Sequence, residues 1–203
     1  MPLNVRLRRV VLFGAERGEG REKLDKLARF ADEILAVPET VPYSVEGEDE
    51  LPENVRFHPR TVEDSDLSDL LADASFVVSD LTSRDWNERI VAECRKSGRL
   101  VNIIDEKDLC DVYLMALVDR PTMTLAVSTG GRCAFFAKEI RKELEHWAES
   151  RDALAEAILE AREALPGSSG RDDRIRRLRA AYNDAELRRL VASGCLNEAC
   201  TRA

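Results

Sequence analysis

Asp105 is the residue whose type and position most directly suggest chemistry. The apolar segment LVNII before it predicts a buried strand that ends at this aspartate. A carboxylate at the carboxyl end of a parallel strand faces the crevice where open α/β sheets bind ligands, and there it can act as a general base. The alternative is that Asp105 caps a helix over Glu106–Leu117. Taken alone, the residue favours the cap.

A glycine-containing turn, FGAERGEGREK, follows the first predicted strand and precedes a helix. A dinucleotide pyrophosphate binds at such a helix N-terminus, with glycines allowing the tight turn. Gly14, Gly18 and Gly20 do not match the spacing G-x-G-x-x-G, and Glu16 brings negative charge, so a plain structural turn stays an open alternative. Glu39, just after the second predicted strand, is the candidate for a ribose hydroxyl or else a solvated loop carboxylate.

Strands and helices alternate along the first half of the chain, which predicts a parallel sheet with crossover helices. Beyond Met123 the pattern changes to an antiparallel or edge strand, TMTLAVSTGG, followed by helices. The predicted strands are 8–14, 33–38, 54–60, 75–80, 99–105 and 122–131, and the predicted helices are 21–31, 66–74, 86–97, 135–164 and 171–192, with a hinge at 166–170.

Composition restricts the function classes. Lys and Arg number 31 against 39 Asp and Glu, and a net charge of −8 argues against nucleic-acid binding. No apolar run approaches the roughly 20 residues that span a bilayer, and no signal peptide is evident, so we expect a cytoplasmic protein. Cys94, Cys110 and Cys133 are interpreted as buried thiols, and Cys195 and Cys200 lack the spacing of a zinc site. Neither His58 nor His146 is predicted to bind metal, and no resident metal is expected.

The stretch from Asn102 to Leu144 resembles the precorrin-2 dehydrogenase/sirohydrochlorin ferrochelatase family, the N-terminal module of siroheme synthases. The similar segments are NIID, LVDRPTMTLAVSTGG and AKEIRKELE, in that order. The resemblance covers roughly residues 8–147. It implies a Rossmann-like NAD-binding domain over 1–112, a small α/β dimerisation segment over 113–146 and a helical C-terminal domain over 147–203.

The resemblance also implies a function. NAD would oxidise precorrin-2 to sirohydrochlorin, and ferrous iron, as a substrate, would then be inserted into this tetrapyrrole in the same pocket. Asp105 would act as the base in both steps. The expected substrate-binding residues are Ser128, Thr129, Gly130 and Gly131, and the expected cofactor-binding residues are Gly14, Gly18, Glu19, Gly20, Glu39, Thr40 and Thr82.

A homodimer is expected for two reasons. The resemblance implies it, and the residues beyond Asp111 offer few elements for an independent core while carrying apolar side chains such as Leu154, Ile158 and Leu165. Two other functions stay open: a chelatase without dehydrogenase activity, and a tetrapyrrole-binding or regulatory protein that no longer binds NAD.

Overall fold

The computed structural model describes residues 7–16, 18–41, 51–63, 65–166 and 170–193. Residues 167–169 of the predicted hinge and the cysteines at 195 and 200 lie outside this set. The strands are β1 Leu7–Phe13, β2 Ala31–Val37, β3 Val55–Phe57, β4 Phe76–Ser79, β5 Leu100–Ile103, β6 Ala116–Asp119 and β7 Thr124–Val127. The helices are α1 Gly18–Leu27, α2 Leu67–Leu71, α3 Arg84–Lys96, α4 Ala134–Glu149, α5 Asp152–Ala164, α6 Arg171–Asn183 and α7 Ala185–Ala192.

The chain forms two compact units, Met1–Leu114 and Met115–Ala203, called here the N-terminal and C-terminal units. The N-terminal unit holds a five-stranded sheet in the order β3-β2-β1-β4-β5, and all its pairings are parallel. The predicted Rossmann-like parallel sheet is confirmed. None of the described helices has the length and apolar composition needed to cross a membrane.

The central strand β1 explains why the sheet forms here. Val10 to Phe13 are fully buried, because apolar clusters cover both faces of the sheet. One cluster packs Val11 and Phe13 with Ile90 and Cys94 of α3, and the other packs Val10 and Leu12 with Leu24 of α1. A near-continuous apolar strand is typical of a sheet that is buried on both sides.

Helix bounds differ from the prediction by up to four residues, and two of the differences have a visible cause. Helix α1 ends at Leu27 rather than at residue 31, because the Asn54 side chain donates hydrogen bonds to the carbonyl oxygens of Ala28 and Ala31, both at 2.9 Å. Helix α3 begins at Arg84, two residues before the predicted start, because the Ser83 hydroxyl accepts a hydrogen bond from the Trp86 N–H.

The helix predicted after Asp105 is wrong. A single 3₁₀ turn, Lys107–Leu109, is followed by irregular chain, and Ala116 starts strand β6. Strand β6 pairs antiparallel with β7, from Ala116 opposite Val127 to Asp119 opposite Thr124. The helical pattern of these residues does not determine their conformation, because the pairing of β6 with β7 outweighs it. Local sequence preference alone cannot reveal such a pairing.

The C-terminal unit also corrects the sequence analysis. The predicted helix 135–164 is interrupted at Ser150 and Arg151, and the predicted helix 171–192 is interrupted at Asp184, whose carboxylate caps α7. Leu154 is buried with Ala157, Leu187 and Leu190, and Ile158 packs against them. The argument that these helices lack a core of their own is therefore wrong. Cys94 is buried as predicted, but Cys110 is partly exposed and Cys133, at the start of α4, is exposed, so the interpretation of these two as buried thiols is wrong.

Candidate functional site

The site is built where strands β1 and β4 end. The strand order reverses between these two neighbours, and ligands of open α/β sheets bind in the crevice beyond such a switch point. Gly14 follows β1, and Asp80 follows β4. The Asp80 N–H donates to the Phe13 carbonyl at 2.9 Å, which fixes the two strand ends side by side. We call this place the switch crevice.

Gly14 and Gly20 shape the turn into α1. Gly14 has a φ of +73°, and a Cβ there would lie 2.8 Å from the Asp80 carbonyl oxygen. A Cβ on Gly20 would lie 2.2 Å from the Gly14 carbonyl oxygen, so only glycine lets α1 approach β1 this closely. Gly18 also has a positive φ, +60°, but nothing lies within 4 Å of its would-be Cβ. Gly14 and Gly20 therefore provide the tight turn and the close approach of helix to strand that a dinucleotide-binding turn requires.

Asp80 is the site residue that the sequence analysis missed. Its Oδ2 accepts a hydrogen bond from the Gly20 N–H at 2.7 Å. Burial is the main cause that raises the pKa of Asp80, and the negative charges of Glu19, Asp105 and Glu39 raise it further against the hydrogen bond from Gly20. The available signal was its position directly after the strand FVVS, since Asp105 also follows a strand end, one residue further on.

Asp105 lies beyond the end of β5 with its side chain exposed. Among the described residues it is the one non-glycine residue with positive φ, +62°. The following 3₁₀ turn starts from Glu106 and has no side-chain cap, so the interpretation of Asp105 as a helix cap is wrong. A left-handed conformation is unusual for a side-chain-bearing residue, and such conformations concentrate at functional sites.

Polar contacts on both sides hold Asp105 in place. Glu106 accepts hydrogen bonds from Asn87 Nδ2 at 2.7 Å and from Arg84 at 2.6 Å, which ties the turn to the start of α3. Asn102, in β5, is buried and donates to the Val112 carbonyl at 2.9 Å, which closes the turn from the other side. The Asn of the NIID segment is thus a structural brace, and the Asp is left facing outward.

The acid after β2 is engaged by the loop after β4. Glu39 Oε1 accepts hydrogen bonds from the Thr82 N–H at 2.7 Å and from the Thr82 hydroxyl at 2.5 Å. The Glu39 N–H donates in turn to Oε1 of Glu16 at 2.9 Å. Only 4% of Glu16 is exposed, and its Oε2 has no hydrogen-bond partner among the residues that the structure describes. The structure thus brings the candidate residues Gly14, Gly20, Glu39 and Thr82 to one edge of the sheet, whereas Thr40 is exposed beside them.

The residues predicted to bind substrate belong to the C-terminal unit. Gly130 and Gly131 both have positive φ, and the Gly130 N–H donates to the Ser128 hydroxyl at 3.1 Å. Thr129 Oγ1 exchanges hydrogen bonds with the backbone of Cys133 at the start of α4. The turn is self-supporting, and its role in binding substrate stays a prediction.

A parallel sheet with a glycine turn at its switch point and an acid after β2 defines a dinucleotide-binding domain of the Rossmann type. The chain belongs to the family described as "Putative NAD(P)-binding", whose model matches residues 1–116.

Three known proteins are similar to this chain in sequence or in fold. A siroheme synthase of Ectopseudomonas mendocina is 36% identical over 77 residues, 38% of this chain and 17% of that protein. A siroheme synthase of Methylococcus capsulatus is 33% identical over 90 residues, 44% of this chain and 19% of that protein. The chain thus matches less than a fifth of the length of either relative. The solved structure of "SirC, precorrin-2 dehydrogenase" has the same fold, with a TM-score of 0.70 over 100% of this chain and 98% of that one, at 18% identity.

The residues at the switch crevice fit a dinucleotide, with an electrostatic cost. The Gly14 turn, the close approach at Gly20 and the acid Glu39 supply the frame. Against this, Asp80 takes the Gly20 N–H, and Glu19 lies in the first turn of α1, where a pyrophosphate would place its negative charge. The site therefore fits the shape of the dinucleotide better than its charge.

Proposed function

We propose that this protein oxidises precorrin-2 to sirohydrochlorin with NAD and then inserts ferrous iron, as a substrate, into the product. The observation that carries the proposal is the conformation of Asp105, a carboxylate held in left-handed backbone at the mouth of an NAD(P)-type crevice. The match to siroheme synthases supports the substrate class, tetrapyrroles.

The dehydrogenation removes a hydride and a proton from the macrocycle. Bound NAD would supply the hydride acceptor. Asp105 is exposed at the crevice and can accept the proton on its carboxylate, and the braces at Asn102 and Glu106 keep that carboxylate in place. Insertion of ferrous iron displaces two pyrrole protons, and the same exposed carboxylate can take them one after the other and release each to solvent.

Asp80 is proposed to tune this site rather than to take the proton. Its carboxylate is hydrogen-bonded to the Gly20 N–H, so it holds the glycine turn against β4. Because burial raises the pKa of Asp80, its negative charge is disfavoured beside Asp105 and beside the coenzyme.

NAD is proposed as the coenzyme rather than NADP. Gly14 and the backbone of Gly18 would receive the pyrophosphate, and Glu39 would face the ribose, helped by Thr40 and Thr82. The Glu16–Glu39 pair would repel an added ribose phosphate. Calorimetry should give a weaker affinity for NADP than for NAD, and the opposite order would overturn this assignment.

The acidic crevice also favours one alternative, a chelatase or tetrapyrrole-binding protein that does not use NAD. The Gly20 N–H already donates to Asp80, and the buried Glu16 carboxylate, which follows β1, accepts the Glu39 N–H, so negative charge lies where the coenzyme would bind. The deciding experiment mixes protein, NAD and precorrin-2 and follows NADH absorbance with tetrapyrrole absorbance. NADH formation in step with sirohydrochlorin supports the dehydrogenase. A second reaction supplies sirohydrochlorin and ferrous iron directly, and metal insertion there, without any NADH formation in the first reaction, supports the chelatase.

A homodimer is part of the proposal. The exposed apolar side chains that support it lie on α4, where Phe135, Phe136 and Trp147 are 73%, 56% and 47% exposed. Phe136 and Trp147 are eleven residues apart, about three helical turns, so they share one face of the helix.

A further inference from the structure

Helix α6 is exposed over most of its length, and only Ala181, near its end, packs against the buried cluster around Leu154 and Leu187. None of its 13 residues is buried. Most of the stability of a helix in a protein comes from packing an apolar face, and the first three turns of α6 have little of such packing. Its residues 171, 174, 175 and 178 share one face by their helical spacing, and two of them are the apolar Ile175 and Leu178.

This face borders an open cleft of about 620 Å³, within the size range of small-molecule sites. We call it the guanidinium cleft. It is lined by Arg162 and Glu163 at the end of α5 and by Arg171, Arg174, Ile175 and Leu178 of α6. Ile175 is 44% exposed, although it lies beside the cleft.

The three arginines that line the cleft differ in their ion pairing from Arg176 and Arg177 of α6. Arg176 and Arg177 are both paired with Asp173. Within the part of the chain that the structure describes, no carboxylate pairs with Arg162, Arg171 or Arg174. Since Glu163 is the one acid of the lining, the cleft carries a net positive charge in a protein whose net charge is −8.

We propose that the guanidinium cleft binds an organic polycarboxylate, with its carboxylates on Arg162, Arg171 and Arg174 and its apolar body on Ile175 and Leu178. Guanidinium groups match carboxylates in planar, two-point hydrogen bonding, and the aliphatic floor favours an organic ligand over an inorganic anion. A tetrapyrrole with carboxylate side chains has this chemistry. That identity rests on the proposed function, whereas the charge and shape of the cleft do not.

The test titrates the full chain with uroporphyrin, a fluorescent tetrapyrrole with eight carboxylates, at low and moderate salt. The double variant Arg171→Gln/Arg174→Gln should bind about tenfold more weakly, since two exposed ion pairs of up to about 1 kcal/mol each are lost. The control Arg176→Gln/Arg177→Gln removes the same charge from the same helix and should bind like the wild type. Arg162→Gln, on the other helix, should weaken binding in the same direction as the first variant.

Three results would overturn the proposal. Equal affinity of the two double variants would mean that the cleft is not the site. Displacement of uroporphyrin by equimolar inorganic pyrophosphate would mean that the cleft binds any anion by its charge and does not recognise the organic body of the ligand. Conversion of a dimer to a monomer by Arg171→Gln/Arg174→Gln, seen by light scattering, would mean that a second copy covers this face. If uroporphyrin binding separates the two double variants while precorrin-2 oxidation is absent, the cleft stands and the proposed function fails.

Discussion

At the scale of single residues, the proposed function depends on the backbone conformation of Asp105 and on the carboxylate of Asp80. Asp105 has a conformation that costs most L-residues roughly 1–2 kcal/mol, and Asp80 has a pKa raised chiefly by burial. Asp80 follows the inner strand β4 and Asp105 follows the neighbouring edge strand β5, and the two carboxylates are close enough for Asp105 to raise the pKa of Asp80. Each makes a prediction that can be measured without substrate.

The first prediction concerns the backbone of Asp105. Asn tolerates the left-handed region about as well as Asp, whereas Ala does not. Asp105→Ala should therefore lower the free energy of unfolding in urea by about 1 kcal/mol, and Asp105→Asn should leave it nearly unchanged. Equal stability of the two variants would show that this backbone conformation is not constrained.

The second prediction concerns the pH dependence of stability at Asp80. Folding raises the pKa of Asp80, so its contribution is fully present below the pKa of the unfolded chain and is lost as the pH rises through the folded pKa. The neutral isostere in Asp80→Asn avoids this loss and can still accept the Gly20 hydrogen bond. Thermal unfolding should therefore show the variant gaining stability relative to the wild type between pH 4 and neutrality. Asp73→Asn, at an aspartate 89% exposed, controls for the loss of one charge; a flat difference for Asp80→Asn would contradict the burial argument.

At the scale of elements, the glycine turn decides how α1 meets the sheet. Gly20→Ala should destabilise the protein toward the upper end of about 1–3 kcal/mol, because its Cβ has no space against the Gly14 carbonyl, and it should also weaken NAD binding in calorimetry. Gly18→Ala is the matched control, since space is open there and only the positive φ is strained. Equal losses in the two variants would place the constraint in the turn conformation instead of in the packing.

The sequence was informative where local pattern and burial agree. Strand β1 is apolar from Val10 to Phe13 because both sheet faces are covered there, and so the parallel sheet and the position of Asp105 at a strand end could be predicted. Asp80 was missed because its significance depends on β4 lying beside β1, a neighbour relation between residues far apart in the chain.

Helix lengths could not be predicted from the sequence for a similar reason, because they depend on contacts between residues far apart in the chain. The chain over residues 106–117 has a helical pattern, but strand pairing between β6 and β7 and the Asn102 brace override it. The breaks at Ser150 and Asp184 are set by how α5 and α7 pack around Leu154 and Leu187. Local preference is a weak prior against such tertiary contacts.

At the scale of the whole molecule, charge is unevenly distributed. The N-terminal unit carries 16 Lys and Arg against 25 Asp and Glu, whereas the C-terminal unit carries 15 against 14. The excess negative charge therefore belongs to the unit with the switch crevice. Anionic ligands face repulsion there and none on average in the C-terminal unit, so we expect coenzyme binding to be weak and to strengthen as salt screens this charge.

The proposed homodimer gives the prediction at this scale. Phe135→Ser/Phe136→Ser replaces two exposed apolar side chains on α4 and should convert a dimer to a monomer at micromolar concentration, since obligate interfaces exceed about 2,000 Å² and depend on apolar contacts. Light scattering measures this directly. Leu159→Ser, on the exposed side of α5, serves as the control. A wild-type protein that is already monomeric would remove the dimer from the account.

The most direct test of the central claim compares wild type with Asp105→Asn in both reactions, followed by tetrapyrrole absorbance. The substitution keeps shape and backbone tolerance but removes the proton acceptor, and the loss of a positioned base costs about a hundred- to ten-thousand-fold in rate. We predict that NAD-dependent oxidation of precorrin-2 and iron insertion into sirohydrochlorin both fall by such factors, with the melting temperature nearly unchanged. Equal rates in the two proteins would contradict the role of Asp105 as the shared base.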